Sequence, residues 1–298
     1  MKIGFAAPVS GSWATPDNMK RIAAQAEDLG YSGLWTFQRL LHPAENPMAP
    51  AYRSVQDPTV VLSFLAGITE RIRLGVAIMN LPFYSPALLA KQLATLQIVS
   101  GGRLDAGFGL GWLPEEFVAS GVSIERRGKR GEEAIELIRR LWTEDLVQHE
   151  GEFYEMPPAN QDPKPSTLPA ILLGGTAPVA LRRVGRLAEG WISSSRADLS
   201  KIDEQISIVK ESAQEAGRDP EALRFIVRGV TKPGKEAGGP LAGPYAKIRE
   251  DIETLAAKGV TEVFHDLNFN PEFGNPLADP VEAMRRAEEA LEELAPSS

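Results

Sequence analysis

The sequence predicts an α/β fold, a single (β/α)8 TIM barrel with an insertion around residues 145–169. Three observations predict it. Short β-like runs alternate with longer helical patterns from end to end of the 298 residues. Strict alternation implies a parallel sheet, because each crossover helix must cover it. Eight strand–helix units within about 250–300 residues suit a closed barrel, with a doubly wound open sheet as the alternative arrangement.

The elements follow in order. Residues 2–7 form the first strand. Met19, Ile22, Ala23, Ala26 and Leu29 have the spacing of one helix face, and Gly30 closes that helix. Residues 32–37 are the second strand. Asp57 is an N-cap for a helix over 58–68. The third strand covers 72–78, and Pro86, behind Ser85, opens a helix to residue 99. Residues 104–108 are the fourth strand. A long amphipathic helix over 126–142 follows, with Ile135, Ile138, Leu141 and Trp142 on one face. The pattern then breaks. Val147, Phe153 and Tyr154 around Glu150-Gly151 predict a small hairpin, and the proline-rich stretch 157–169 completes an insertion expected to lie over one barrel end. Alternation resumes with strands at 170–173, 190–193, 223–230 and 260–265. The helices between and after them run over 177–187, 199–216, 244–257 and 279–294. Residues 232–244 read as a loop and 295–298 as a frayed tail. Residues 1–298 are thus expected to form one domain.

Bulk properties exclude several functions. The chain has no cysteine, so disulfides, thiolate nucleophiles and cysteine-ligated metals are excluded. The net charge of −8 and the lack of a basic run argue against nucleic acid. The apolar run at the N-terminus is too short for a signal peptide, and nothing approaches the ~18 apolar residues of a membrane span. A cytoplasmic protein with no membrane partner is the expectation.

In a barrel of this kind the site is built from loops at the C-terminal strand ends. These are residues 8–12, 38–42, 80–85, 109–116, 174–177, 194–196, 229–232 and 266–270. They are rich in glycine, amide and hydroxyl groups and poor in carboxylates. Gly107-Phe-Gly-Leu-Gly111 fails the dinucleotide fingerprint, because Trp112 stands where the third glycine belongs and Pro114 follows. Its glycines permit either a tight turn or the approach of a flat ring system. Leu173-Gly-Gly-Thr-Ala-Pro178 leaves a strand and enters a helix, with Thr176 as N-cap. That N-terminus offers amides and a positive dipole end to a phosphate, and Arg182 and Arg183 could add charge. The three histidines, His42, His149 and His265, have no metal-ligand spacing, so no metal site is expected. His42 is a candidate site residue. A glycosidase would need paired carboxylates; Asp266 stands alone at a strand end, and Asp105 comes too early in its strand.

Several of these segments together resemble the luciferase-like monooxygenase superfamily, and within it the coenzyme F420-dependent oxidoreductase branch. They are Ala24-Gln-Ala-Glu-Asp-Leu-Gly-Tyr-Ser-Gly-Leu-Trp35, Arg71-Ile-Arg-Leu-Gly-Val-Ala-Ile78, Leu88-Leu-Ala-Lys-Gln-Leu-Ala-Thr-Leu96, Ser100-Gly-Gly-Arg-Leu-Asp-Ala-Gly-Phe-Gly-Leu-Gly-Trp112, Leu172-Leu-Gly-Gly-Thr176 and Arg186-Leu-Ala-Glu-Gly-Trp191. The resemblance implies a (β/α)8 barrel holding F420, or alternatively FMN, without a covalent bond. It also implies a non-prolyl cis peptide at Ala77-Ile78 behind the cofactor ring. Gly109, Leu110, Gly111 and Trp112 would line the ring or its side chain, and Gly174, Gly175 and Thr176 would bind the phosphate. The acidic tail of F420 would need basic residues such as Arg39, Arg53 or Lys232.

One departure stands out. Relatives of the F420 branch often carry an acid and a histidine after the second strand, where this chain has Gln38 and Arg39. Glutamine is no acid or base and arginine stays protonated, so proton transfer by that pair is in doubt. Gln38, Arg39 and His42 are nevertheless the candidate catalytic set, with Glu115 and Glu116 as alternative acids. Trp13, Phe37, Phe83 and Trp112 are candidates for an apolar pocket. The expected function is hydride transfer or monooxygenation of a small-molecule substrate. A non-catalytic cofactor store or sensor and a cofactor-free phosphate-ligand barrel remain as alternatives. The resemblance further suggests a homodimer.

Overall fold

Eight parallel strands close on themselves in a computed structural model that describes residues 1–45 and 47–296. The strands are β1 (Lys2–Ala6), β2 (Gly33–Thr36), a third one broken into β3 (Arg73–Val76) and β4 (Met79–Asn80), β5 (Leu104–Gly109), β8 (Ala170–Gly174), β9 (Gly190–Ile192), β10 (Arg224–Val230) and β13 (Glu262–Asp266). The order β3-β2-β1-β13-β10-β9-β8-β5 closes through a β3–β5 pairing. The predicted (β/α)8 barrel is therefore the observed one. Ala77-Ile78, in the break, is a cis peptide.

Helices α1 (Pro16–Asp28), α2 (Pro58–Ala66), α3 (Pro86–Val99), α5 (Arg127–Thr143), α6 (Pro178–Leu187), α7 (Ile202–Glu215), α8 (Tyr245–Ala257) and α9 (Pro280–Glu293) ring the strands. Their apolar faces explain the packing: Met19, Ile22, Ala23 and Ala26 of α1 are all buried. Asp57 caps α2 as expected, accepting from Thr59 N at 2.9 Å and Val60 N at 3.1 Å. Past the end of α1, Gly30 stands at φ 81°.

The barrel interior is layered, because alternate residues of each strand face inward. The bottom layer is ionic. Asp105 takes Arg73 at 2.6 Å and Arg224 at 2.7 Å, and Arg224 also meets Glu262 at 2.9 Å. Burial alone would raise the Asp105 pKa, but the bonds from both arginines hold it below the ordinary carboxylate value. The early position of Asp105 in its strand thus marks a buried charge knot remote from the mouth. Above it Trp35 stacks on Phe264 with centroids 4.9 Å apart, packed with Leu172, Ile192 and Ile226.

Several expectations need correction. The hairpin exists, as β6 (Val147–Glu150) paired with β7 (Glu155–Ala159), but it does not lie over a barrel end. It runs along the outside of α5, where the Glu133 carboxylate accepts the amides of Glu152, Phe153 and Tyr154. The stretch after it binds α3 through Gln161 to Ala87 O and Gln97 to Thr167 O. The loop read at 232–244 contains a short parallel ladder, β11 (Lys232–Pro233) with β12 (Ala242–Gly243). An extra helix, α4 (Pro114–Ala119), follows β5. Of the tail expected to fray, Ala295 packs against the core, and Ser297 and Ser298 lie outside the described residues.

Candidate active site

The C-terminal mouth holds a cavity of about 560 Å³, within the range of ligand pockets. Its walls come from the ends of β2, the broken third strand, β5, β8, β9 and β10. Of the predicted site residues, Gln38, Arg39, Ala77, Ile78, Gly109, Leu110, Gly111, Trp112, Gly174, Gly175 and Thr176 all line it. His42 does not. Its Nε2 lies 3.3 Å from Met48 O instead. No residue of the 145–169 insertion lines the cavity either.

The break in the third strand shapes one wall. Val76 O approaches β5 so closely that a Cβ on Gly107 would sit 1.9 Å from it. One register higher, a Cβ on Gly109 would sit 2.2 Å from Ile78 Cδ1. The glycines read in the sequence as allowing a flat group to approach therefore also admit the kinked strand itself. Gln38 braces the far end of that kink. Its Oε1 accepts from Asn80 N at 2.8 Å and its Nε2 donates to the Tyr84 hydroxyl.

A second wall is the entry to α6. Trp191 Nε1 donates to Gly175 O at 2.8 Å and fixes the turn, and Gly175 has φ 146°. The N-cap is Ala177, one residue beyond the predicted Thr176, and it makes no side-chain capping bond. Pro178 carries no N–H and Ala180 N donates to Ala177 O at 2.8 Å, which leaves the amides of the cavity-lining residues Thr176, Ala177 and Val179 without an acceptor among the described residues. Arg126, Arg127 and Arg183 stand beside them. Arg183 is engaged by Glu132 at 2.7 Å and Arg126 by Glu152 at 2.7 Å, while Arg127 has no carboxylate partner among the described residues. Arg182, Arg53 and Lys232, the other basic candidates, lie outside the lining.

The opposite wall is aromatic and cationic. Phe37, Tyr52 and Phe269 form a cluster with centroids 5.1–6.3 Å apart. The Arg228 guanidinium lies 4.5 Å from the Phe37 ring and 4.3 Å from Phe269. Arg39 lies 4.7 Å from Tyr52 and 5.0 Å from Trp112. Each arginine has an internal partner: Arg39 meets Glu116 at 2.8 Å, and Arg228 meets Asp266 at 2.7 Å. Glu116 also accepts Leu40 N and Leu41 N. It is fully buried, contrary to the usual exposure of acids in a first helical turn; Glu115 is the exposed one. Of the other aromatic candidates, Trp13 packs on Phe273 and Phe83 on Phe117; neither lines the cavity.

Sequence reading missed Arg228. Its signal was present: it sits two residues beyond Ile226 on the inward face of β10 and pairs in register with Phe264. Its partner Asp266 was noted only as a lone carboxylate, because the pairing joins strands and cannot be seen in one segment.

Comparisons with known proteins agree with this geometry. A family model described as luciferase-like monooxygenase matches residues 2–236. An uncharacterized protein of Mycobacterium tuberculosis is 32% identical over 253 residues, covering 81% of this chain and 82% of that protein. An F420-dependent glucose-6-phosphate dehydrogenase of Amycolatopsis mediterranei is 28% identical over 226 residues, covering 74% of this chain and 66% of its own length. Among solved structures, the monooxygenase RslO1 from Streptomyces bottropensis superposes with a TM-score of 0.82 at 22% identity, over 99% of this chain and 98% of that one.

Proposed function

The chain belongs to the luciferase-like monooxygenase family of oxidoreductases, and on that premise we propose that it binds F420 non-covalently and uses it to oxidise or reduce a small organic substrate. The observation that carries this reading is the pairing of two walls in one cavity. The uncapped entry to α6, with Arg127 beside it, suits a phosphate followed by an acidic tail. The cavity wall formed by Ala77, Ile78 and the Gly109–Trp112 segment suits a flat ring.

The chemistry supplied by such a ring, when bound, is hydride transfer, or oxygen activation in the case of reduced FMN. The chain's own residues bind and orient. Gly174, Gly175 and Thr176 offer backbone to the phosphate, with Arg127 as counter-charge. Ala77 and Ile78 back the ring, and Gly109 to Trp112 close over it. Gln38 holds the third strand in place through Asn80. Leu110, Ile192 and the aromatic wall exclude water. Glu116 and Asp266 are both engaged by arginines, so neither stands as a free acid for proton transfer.

The test is fluorescence titration of the purified protein with F420 and FMN separately. F420 quenching at micromolar protein, weakened about tenfold by Arg127→Ala (about 1.4 kcal/mol), is the expected result. Tighter binding of FMN that is indifferent to Arg127 would shift the assignment to FMN. Binding of neither would end it.

A further inference from the structure

The substrate's charge is legible in the wall opposite the α6 entry. Around the barrel, β8 stands across from β1 and β2. The phosphate end and the β2–β10 wall are therefore opposite sides of one cavity. Two guanidiniums line that far wall, and at first sight they would select an anionic substrate. Their surroundings say otherwise. The Arg39 and Glu116 side chains are 6% and 0% exposed, and those of Arg228 and Asp266 are 9% and 0% exposed. Each cation is thus balanced by a carboxylate inside the protein. An anion brought to either arginine would add an unbalanced charge to a pair that is already neutral, in a buried setting where an uncompensated charge is costly.

Asp266 is held on both carboxylate oxygens. Its Oδ1 accepts Asn268 N at 3.0 Å and Asn268 Nδ2 at 3.1 Å, while Oδ2 accepts Arg228 Nε at 2.7 Å. Arg228 Nη1 donates to Ala77 O at 3.0 Å. Arg228 Nη2 has no acceptor among the described residues, and Arg228 lines the cavity. What the wall offers a substrate is an N–H donor with its charge already balanced, set beside Phe37 and Tyr52.

Resting on the F420 reading for the opposite end, we propose that the substrate is an uncharged, flat or cyclic carbonyl compound. Its oxygen accepts a hydrogen bond from Arg228 Nη2 and its ring lies against the aromatic wall. Phosphorylated or carboxylated substrates are disfavoured, in contrast to what the name of the Amycolatopsis relative says of that protein. Arg228 is then a substrate-binding residue, and Glu116 sets the charge preference by neutralising Arg39.

Matched probes test this: 2-acetylnaphthalene, 2-naphthoate and glucose 6-phosphate, titrated by calorimetry into cofactor-saturated protein, whose phosphate end is filled. The ketone should bind at least ~10-fold more tightly than the naphthoate, a gap of about 1.4 kcal/mol, and glucose 6-phosphate should not compete. Glu116→Gln keeps an acceptor for Leu40 N and Leu41 N but unmasks Arg39. It should raise naphthoate affinity ~10-fold with the ketone unchanged. If that variant does not fold, the wild-type comparison still decides. Naphthoate or glucose 6-phosphate matching the ketone, or a ketone that does not bind, overturns the proposal. Failure of the cofactor reading shows separately, as absent F420 and FMN quenching. The probe ratio is then read with inorganic phosphate at the α6 end.

Discussion

At the residue scale the site is governed by close approaches that only glycine permits. Gly107 and Gly109 lie two apart on β5 but meet different obstacles. A Cβ at 107 collides with backbone, the Val76 carbonyl, which cannot give way without distorting two strands. A Cβ at 109 collides with the end of the Ile78 side chain, which can rotate. Gly107→Ala is therefore expected to destabilise the protein by roughly 1–3 kcal/mol, read as a lower midpoint in urea unfolding. Gly109→Ala should leave that midpoint nearly unchanged and weaken cofactor binding, because it drives Ile78 into the cavity. The same scale explains what the glycine pattern meant. The sequence marks where backbone comes close; it does not say whether the visitor is a ligand or another strand.

At the element scale, helix starts divide into capped and uncapped. Asp57 caps α2 and Asp279 caps α9, each accepting from two amides. The entry to α6 has no side-chain cap, and it alone of these three opens onto the cavity. Asp57→Ala should cost about 1 kcal/mol, seen as a melting temperature lower by about 2–4 °C, with F420 affinity unaltered. The caps at Asp57 and the strand and helix order were legible because they rest on local periodicity and local hydrogen bonds. The position of the hairpin was not. Its prolines and turn residues predict the shape, but Glu133 on α5 decides where it docks, by collecting three amides at its tip.

At the scale of the whole molecule, buried titratable groups set the pH range of stability. His265 faces outward from β13 and is fully buried, with Nδ1 2.9 Å from the Thr231 hydroxyl. Burial lowers its pKa from 6.5 to about 4. Between those values the unfolded chain binds the proton and the folded one does not. The contribution of His265 is therefore complete above pH 6.5 and lost as pH falls toward 4. The loss is on the order of 3 kcal/mol. Urea unfolding at pH 7, 5.5 and 4.5 should show that decline, and His265→Phe should flatten it. A slope unchanged by the substitution would assign the decline elsewhere. Asp105, held low by Arg73 and Arg224, keeps its contribution to lower pH still, since a depressed carboxylate loses it only on protonation.

The sequence by itself determined the barrel, the eight alternating units, and the loops around its mouth, because each follows from hydrophobic period and turn chemistry within a short window. It also determined that Gln38 and Arg39 follow the second strand, a pair in which neither side chain is an acid or a base at neutral pH. Only the tertiary structure decided that His42 lies off the cavity, that Arg39 is masked by Glu116 seventy-seven residues away, and that Arg228 enters the site with its charge already met by Asp266. Those outcomes depend on which side chains different strands and loops bring within about 3 Å of each other, and no single segment contains that distance.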